Sequence, residues 1–384
     1  MTGRPLGRAA PPSLRVRVPG TRLLVVQLRV AGGSAAETET ERGMVHAVEH
    51  LVVRTALRPV ARQVHAATSR DATTYRLVLD HESEVARDSA DLLPAALGDL
   101  EADAVGAALT TEKDTIREER AQRLAQPAWR VQEALLGRLW RGTRYEHSPL
   151  GDPAVVERLR VEDILRVHER CYRSDSALAV SVGDFAADRT APSTTGHAAP
   201  GRATAEGVSP HVAAAAVELP TLRGGTVRGA GFAQPTASMR PAELALARSA
   251  VRKQTEIALS TTSFGGAWTT WVVLRGGDSM AVALRSLDDG FAVTLDELAC
   301  PARSRRLLEA ARITELRACD DVQAVGDRTA AHHWYGDGPT GLDDWSELLR
   351  AADESGVAAV VEGWRRLVRG LRTNPQRWEP GGPA

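Results

Sequence analysis

Residues 43–51 read Gly-Met-Val-His-Ala-Val-Glu-His-Leu and contain the pattern H-x-x-E-H. On a helix, His46 and His50 stand four residues apart on one face, so both imidazoles can grip a single ion. Glu49 leans toward the same site, where a carboxylate can handle a proton from a water that a metal has acidified. The order is the inverse of H-E-x-x-H, a helix that binds zinc. With ten histidines in the chain, chance would produce this pattern in about two of a hundred such sequences, so it is fairly specific. Tetrahedral catalytic zinc needs a third protein ligand and leaves a fourth position to water. The stretch Thr111–Glu119 (TEKDTIREE) is strongly helical and sets Glu112, Ile116 and Glu119 along one face at i, i+4 and i+7. It offers one carboxylate for the metal and one to support it, and spacing alone does not separate Glu118 from Glu119 as ligand.

Other candidate groups are read as structural. His332 and His333 are adjacent, so on a helix they point apart, and packing is the expected role. His81, His147, His168, His197 and His211 have no partner at ligand spacing and read as surface residues. Cys171, Cys300 and Cys319 are too few and too widely spaced for a disulfide framework or a zinc ribbon, and read as small buried hydrophobes.

The elements that must position the H-x-x-E-H segment follow from periodicity. Alternation or branched residues predict strands at Leu14–Val18 and Leu23–Val30, a pair at Val64–Ser69 and Thr74–Leu79, and a last strand at Ala177–Val182. Helices are predicted over residues 41–57, 84–97, 103–124, 130–139 and 161–171. Strands first and last with helices grouped between them predict an α+β fold rather than a doubly wound parallel sheet. The order recurs more weakly later: strands at 213–219, 226–232, 268–274 and 280–285, with helices over 241–259, 303–318 and 343–371. Two similar domains are therefore expected, each a mostly antiparallel sheet covered by helices on one side. They span 12–187 and 211–371, joined by a Pro/Gly/Ala/Ser/Thr linker at 188–210 and followed by a flexible tail at 372–384.

The 384-residue length agrees with two domains, and a 43% apolar content excludes general disorder. A net charge of −1 gives no bulk attraction to nucleic acid or to an anionic membrane. The polar, Pro/Arg-rich start lacks the apolar core of a secretory signal, and no apolar stretch is long enough to span a bilayer, so a cytoplasmic location is expected.

Over most of 20–185 the chain resembles the inverted-zincin metallopeptidases of the pitrilysin, insulin-degrading enzyme and mitochondrial processing peptidase family. The resemblance is carried by Gly32-Gly33-Ser34 and residues 41–51, by Val64–Tyr75, by Glu112–Glu119, by Ser148-Pro149-Leu150-Gly151, and by Cys171-Tyr172 through Val180–Phe185. It implies zinc held by His46, His50 and Glu119, with Glu112 supporting the site and Glu49 as the general base. It also implies two similar domains forming half of a clam-like chamber, and endopeptidase action on extended peptides that add a strand beside the zinc.

Three departures stand out. The spacing from His50 to Glu119 is shorter than usual, with the loss between Thr55 and Gln63. His65 replaces an asparagine that contacts substrate backbone. Thr261 and Trp268 occupy the places of an Arg–Tyr pair in the family's second domain that holds substrate and oxyanion. Losing one oxyanion donor costs about 100- to 1000-fold in rate, so a lone chain or a homodimer would be crippled. The expected assembly is a heterodimer, this chain bearing zinc and a homologous partner bearing the Arg–Tyr pair. The other expectation weighed is a non-catalytic scaffold or peptide-binding subunit that keeps the fold.

Overall fold

Branched apolar side chains dominate Leu23–Val30, and that strand organises the first half of the chain. A computed structural model describes residues 10–80, 92–184, 213–220, 226–235, 246, 269–275, 279–286, 304–317, 320–335 and 349. The strands are β1 (Ser13–Arg17), β2 (Leu23–Val30), β3 (His65–Thr68), β4 (Thr73–Asp80), β5 (Ala177–Gly183), β6 (Ala213–Pro220), β7 (Thr226–Pro235), β8 (Thr269–Arg275) and β9 (Ser279–Ser286). The helices are α1 (Met44–Arg54), α2 (Ala102–Leu124), α3 (Pro127–Leu139), α4 (Pro153–Arg158), α5 (Val161–Cys171), α6 (Ser304–Arg317) and α7 (Val322–Tyr335). The architecture is α+β.

The chain divides into two compact units that interleave along the sequence. The first comprises Met1–Glu118, His147–Ala203 and Cys319–Asp344, and the second Glu119–Glu146, Thr204–Ala318 and Trp345–Ala384. The division falls inside α2, which is one continuous helix and is described with the first unit. Composition alone suggests a single break at 188–210. The units instead assign α3 to the second and α7 to the first.

In the first unit the sheet order is β1-β5-β2-β4-β3. β1 runs parallel to β5, and the other pairs are antiparallel. Leu24, Val26, Leu28 and Val30 of β2 join α1, α5 and the buried face of α2 in one apolar core. Val25 points the other way, into a second cluster where Val322, Val325 and Ala330 of α7 meet Leu14, Val16, Val180 and Val182. Covered faces on both sides explain why β2 is nearly continuous in apolar residues instead of alternating. Gly326 lies against Val182 and Val25, and Arg76 Nη1 donates to Asp327 Oδ2 at 3.0 Å, tying α7 to β4. In the second unit, β6-β7-β9-β8 form an antiparallel sheet, with α3 packed on β6, β7 and β9.

Several elements differ from their predicted extents. The helix expected over 41–57 runs only from Met44 to Arg54, because Gly43 opens it and a Pro59-containing turn follows it. Of the helix expected over 84–97, Leu93–Leu97 forms a 3₁₀ turn, and residues 84–91 lie outside the described residues. α4 and α7 are not foreseen from periodicity, yet Asp152 and Asp321 mark their starts by accepting backbone N–H groups. The 188–210 linker, the 372–384 tail and the helices expected over 241–259 and 343–371 lie almost wholly outside the described residues, as do Thr261 and Trp268. No described helix is long and apolar enough to cross a membrane.

Candidate metal centre

The start of α1 is fixed by its backbone and by Glu37. Gly43 has φ +100°, a left-handed conformation that glycine adopts without a Cβ penalty. Gly151, at φ +65°, packs so closely on it that a Cβ would overlap the Gly43 backbone. Asp152 N then donates to Arg42 O at 3.0 Å, so the Ser148–Gly151 segment braces the helix start. Buried Glu37 accepts hydrogen bonds from Gly43 N (3.0 Å) and Val45 N (2.7 Å), satisfying N–H groups that a helix N-terminus leaves free. His147 Nε2 lies 3.3 Å from the same carboxylate, with its side chain only 12% exposed. This corrects the reading of His147 as a surface residue: it faces a buried carboxylate whose position no local spacing reveals.

Val45, Val48, Leu51 and Val52 fill the core face of α1, all fully buried. The helix thereby carries His46 and Glu49 into the interior, at 6% and 7% exposure. His46 Nε2 and His50 Nε2 stand 3.2 Å apart, with the rings edge to face. Ligand atoms of His46, His50 and Glu119 all lie within 4.8 Å of one another. Two nitrogens bound to one tetrahedral zinc at 2.0–2.1 Å would be about 3.3 Å apart, so the imidazole pair fits. Two imidazoles and a carboxylate are also the donor chemistry that zinc takes. Glu119 rather than exposed Glu118 joins the group, and Arg123 holds its Oε1 at 3.4 Å one turn further on.

Glu112 lies deeper, its side chain 7% exposed. Its Oε2 meets His50 Nδ1 at 3.1 Å, and its Oε1 accepts from Arg54 Nε at 2.7 Å. Burial pushes the carboxyl up, but the hydrogen bonds to His50 and Arg54 outweigh it and hold the group below its usual value. An ionised carboxylate only accepts, so His50 Nδ1 is the donor in this contact, and the ring's other nitrogen, Nε2, faces His46. This carboxylate–histidine pairing fixes ring orientation and tautomer.

Glu49 has its own support. Thr68 Oγ1, on β3, donates a short hydrogen bond to Glu49 Oε2. Thr73 Oγ1 lies 3.2 Å from Thr68 Oγ1 and donates to Gly32 O, fixing the place of that side chain at the start of β4. Behind them Tyr75 and Tyr172 share a hydroxyl contact of 2.7 Å, and burial pushes both phenols well up, keeping them neutral. His168, also expected at the surface, is buried: it stacks on Tyr172, and its Nε2 donates to Ala96 O at 2.9 Å. The strong amphipathic pattern of α5 could have placed it, since His168 shares a face with Ile164 and Cys171. Cys171 is buried in the core, as its type suggests.

His65 sits apart from the metal cluster. It is the exposed first residue of β3, opposite Arg76 in register, while Ala66 and Thr68 turn toward α1. β3 is the last strand of the sheet, so its outer edge has no strand partner among the described residues. Thr68, Arg54 and Glu37 are site-shaping residues that sequence reasoning missed. Arg54 carried a usable signal, lying one turn after His50.

The site thus joins an H-x-x-E-H helix to a neighbouring carboxylate-bearing helix beside an α+β sheet. No family model and no curated protein matches the chain. Solved structures do match. A protease from Helicobacter pylori superposes with a TM-score of 0.64 at 16% identity, over 91% of this chain and 92% of that one. A peptidase M16 inactive domain from Pseudomonas fluorescens gives 0.64 at 12% identity, over 91% and 92%. The periplasmic protease PqqL from Escherichia coli gives 0.59 at 16% identity over 93% of this chain. The chain spans only 45% of PqqL, a little less than half of that protein. The fold is that of the M16 peptidases, the pitrilysin-like fold expected from the sequence.

Proposed function

We propose that the chain is a zinc-dependent endopeptidase subunit that hydrolyses small peptides or precursor leaders with the help of a second, similar subunit. The observation that carries this reading is the convergence of His46, His50 and Glu119 within 4.8 Å, beside buried Glu49. These three residues would hold the zinc, with Glu112 orienting His50. Zinc there would polarise the scissile carbonyl and acidify water to a pKa of about 7. Glu49 accepts a proton from the attacking water and returns it to the leaving amine. A peptide laid along the outer edge of β3 would gain main-chain hydrogen bonds and pass close to Glu49, with His65 near its path.

Thr68 holds the base in place. Removing a hydrogen bond to a charged group costs about 1.5–3 kcal/mol, which is roughly 10- to 100-fold in rate. Thr68→Val is expected to lower kcat by about that factor, with zinc content unchanged and KM little moved, and Thr68→Ser to restore it. Steady-state kinetics with zinc analysis on the same samples checks this.

The partner is proposed because Thr261 and Trp268 fall at the positions where the resemblance to the pitrilysin-type family implies an Arg–Tyr pair. The test is cleavage of an unfolded peptide by the chain alone and with a similar chain that lacks H-x-x-E-H and keeps an Arg–Tyr pair. Cleavage only by the pair supports the reading. No cleavage by either preparation, zinc-loaded, would overturn it. A second reading, a scaffold or peptide-binding subunit, draws on the equal likeness to a domain described as inactive. Binding of the same peptide without turnover would favour it.

A further inference from the structure

We infer that Arg54 is a positioning residue of the metal centre, acting on His50 through Glu112. The inference rests on the zinc reading above. The Glu112 carboxylate has two oxygens and two partners: Oε1 accepts from Arg54 Nε at 2.7 Å, and Oε2 meets His50 Nδ1 at 3.1 Å. The terminal torsion of a glutamate is broad and roughly two-fold, so one partner alone fixes its plane poorly. With Arg54 on the other oxygen, the plane is set, and the His50 ring is held with Nε2 toward His46, 3.2 Å away. His50 and Arg54 are four residues apart on α1, so one turn of helix brings both to the same carboxylate on α2. The contact is specific in direction: a guanidinium Nε–H donates in its own plane, which a point charge does not reproduce.

The other side of Arg54 sets the size of the effect. Its side chain is 56% exposed and lines a groove of about 410 Å³ with Arg58, Asp99, Glu101 and the alanines of α2. Water therefore competes for the guanidinium, and the contribution falls below that of Glu112 itself. Changes to groups that orient a metal ligand typically weaken metal binding by about 10- to 100-fold. Arg54→Ala is expected near the low end, about tenfold, and Glu112→Gln higher.

The test is the zinc dissociation constant of the full chain, measured by competition with a chromophoric chelator, for wild type, Arg54→Ala, Arg54→Lys, Glu112→Gln and the Arg54→Ala/Glu112→Gln double variant. Arg54→Ala should weaken zinc binding about tenfold, Arg54→Lys should recover only part of that, and Arg54→Ala should add nothing once Glu112 is glutamine. A merely structural role would weaken binding equally in both backgrounds, and that result would overturn the inference. Unchanged affinity in both Arg54→Ala and Arg54→Lys would overturn it too. If wild type binds zinc and these variants match it, only this inference fails. A wild type that takes up no zinc overturns it together with the reading of the site.

Discussion

Replacing Glu49 by glutamine is expected to lower peptide hydrolysis by about 100- to 10,000-fold while leaving zinc bound. Glutamine matches glutamate in size and can still meet Thr68, but it cannot accept a proton from water. Glu49 is buried, and its Oε2 accepts from the Thr68 hydroxyl, so the substitution would remove the proposed base while leaving the packing in place. Cleavage of an unfolded peptide, followed by mass spectrometry on zinc-matched samples, reads the effect. Retained activity in Glu49→Gln would mean that hydrolysis uses another base.

His50→Ala is the second large effect. It would remove a proposed ligand and also strip Glu112 of one of its two partners, leaving a carboxylate only 7% exposed with Arg54 alone. Zinc affinity should fall by more than the roughly 100-fold upper range of orienting groups, and the purified variant should be nearly metal-free. Metal analysis by plasma mass spectrometry checks this, with circular dichroism to confirm the fold. His46→Ala and Glu119→Ala should follow the same pattern. Glu118→Ala should not, because Glu118 is exposed and lies outside the cluster. Zinc retained at wild-type level in His50→Ala would remove that residue from the ligand set.

Much of this was legible in local spacing. His46, Glu49 and His50 share one turn of a helix, and Glu112, Ile116 and Glu119 share one face of another, so 3.6-residue periodicity was enough to group them. Strands β1 to β5 followed from branched residues and alternation. What spacing could not show was every contact made across the fold. Thr68 reaches Glu49 from a strand, His147 reaches Glu37 over 110 residues of chain, and α7 closes the far face of the first sheet from beyond residue 320. α7 was hard to see because Val322, Val325 and Ala330 are small and sparsely spaced among polar residues, giving a weak apolar stripe. That Glu119 comes within 4.8 Å of both imidazoles depends on how α2 meets α1, which local spacing does not carry.

On the proposed reading, His46, His50 and Glu119 hold zinc on this fold. Zinc-edge X-ray absorption of the purified full chain tests it most directly. About one zinc per chain is expected, in a four-coordinate shell of nitrogen and oxygen at about 2.0–2.1 Å, with the outer-shell scattering of two imidazoles. A sulfur-containing shell near 2.3 Å, or a chain that takes up no zinc, would contradict it.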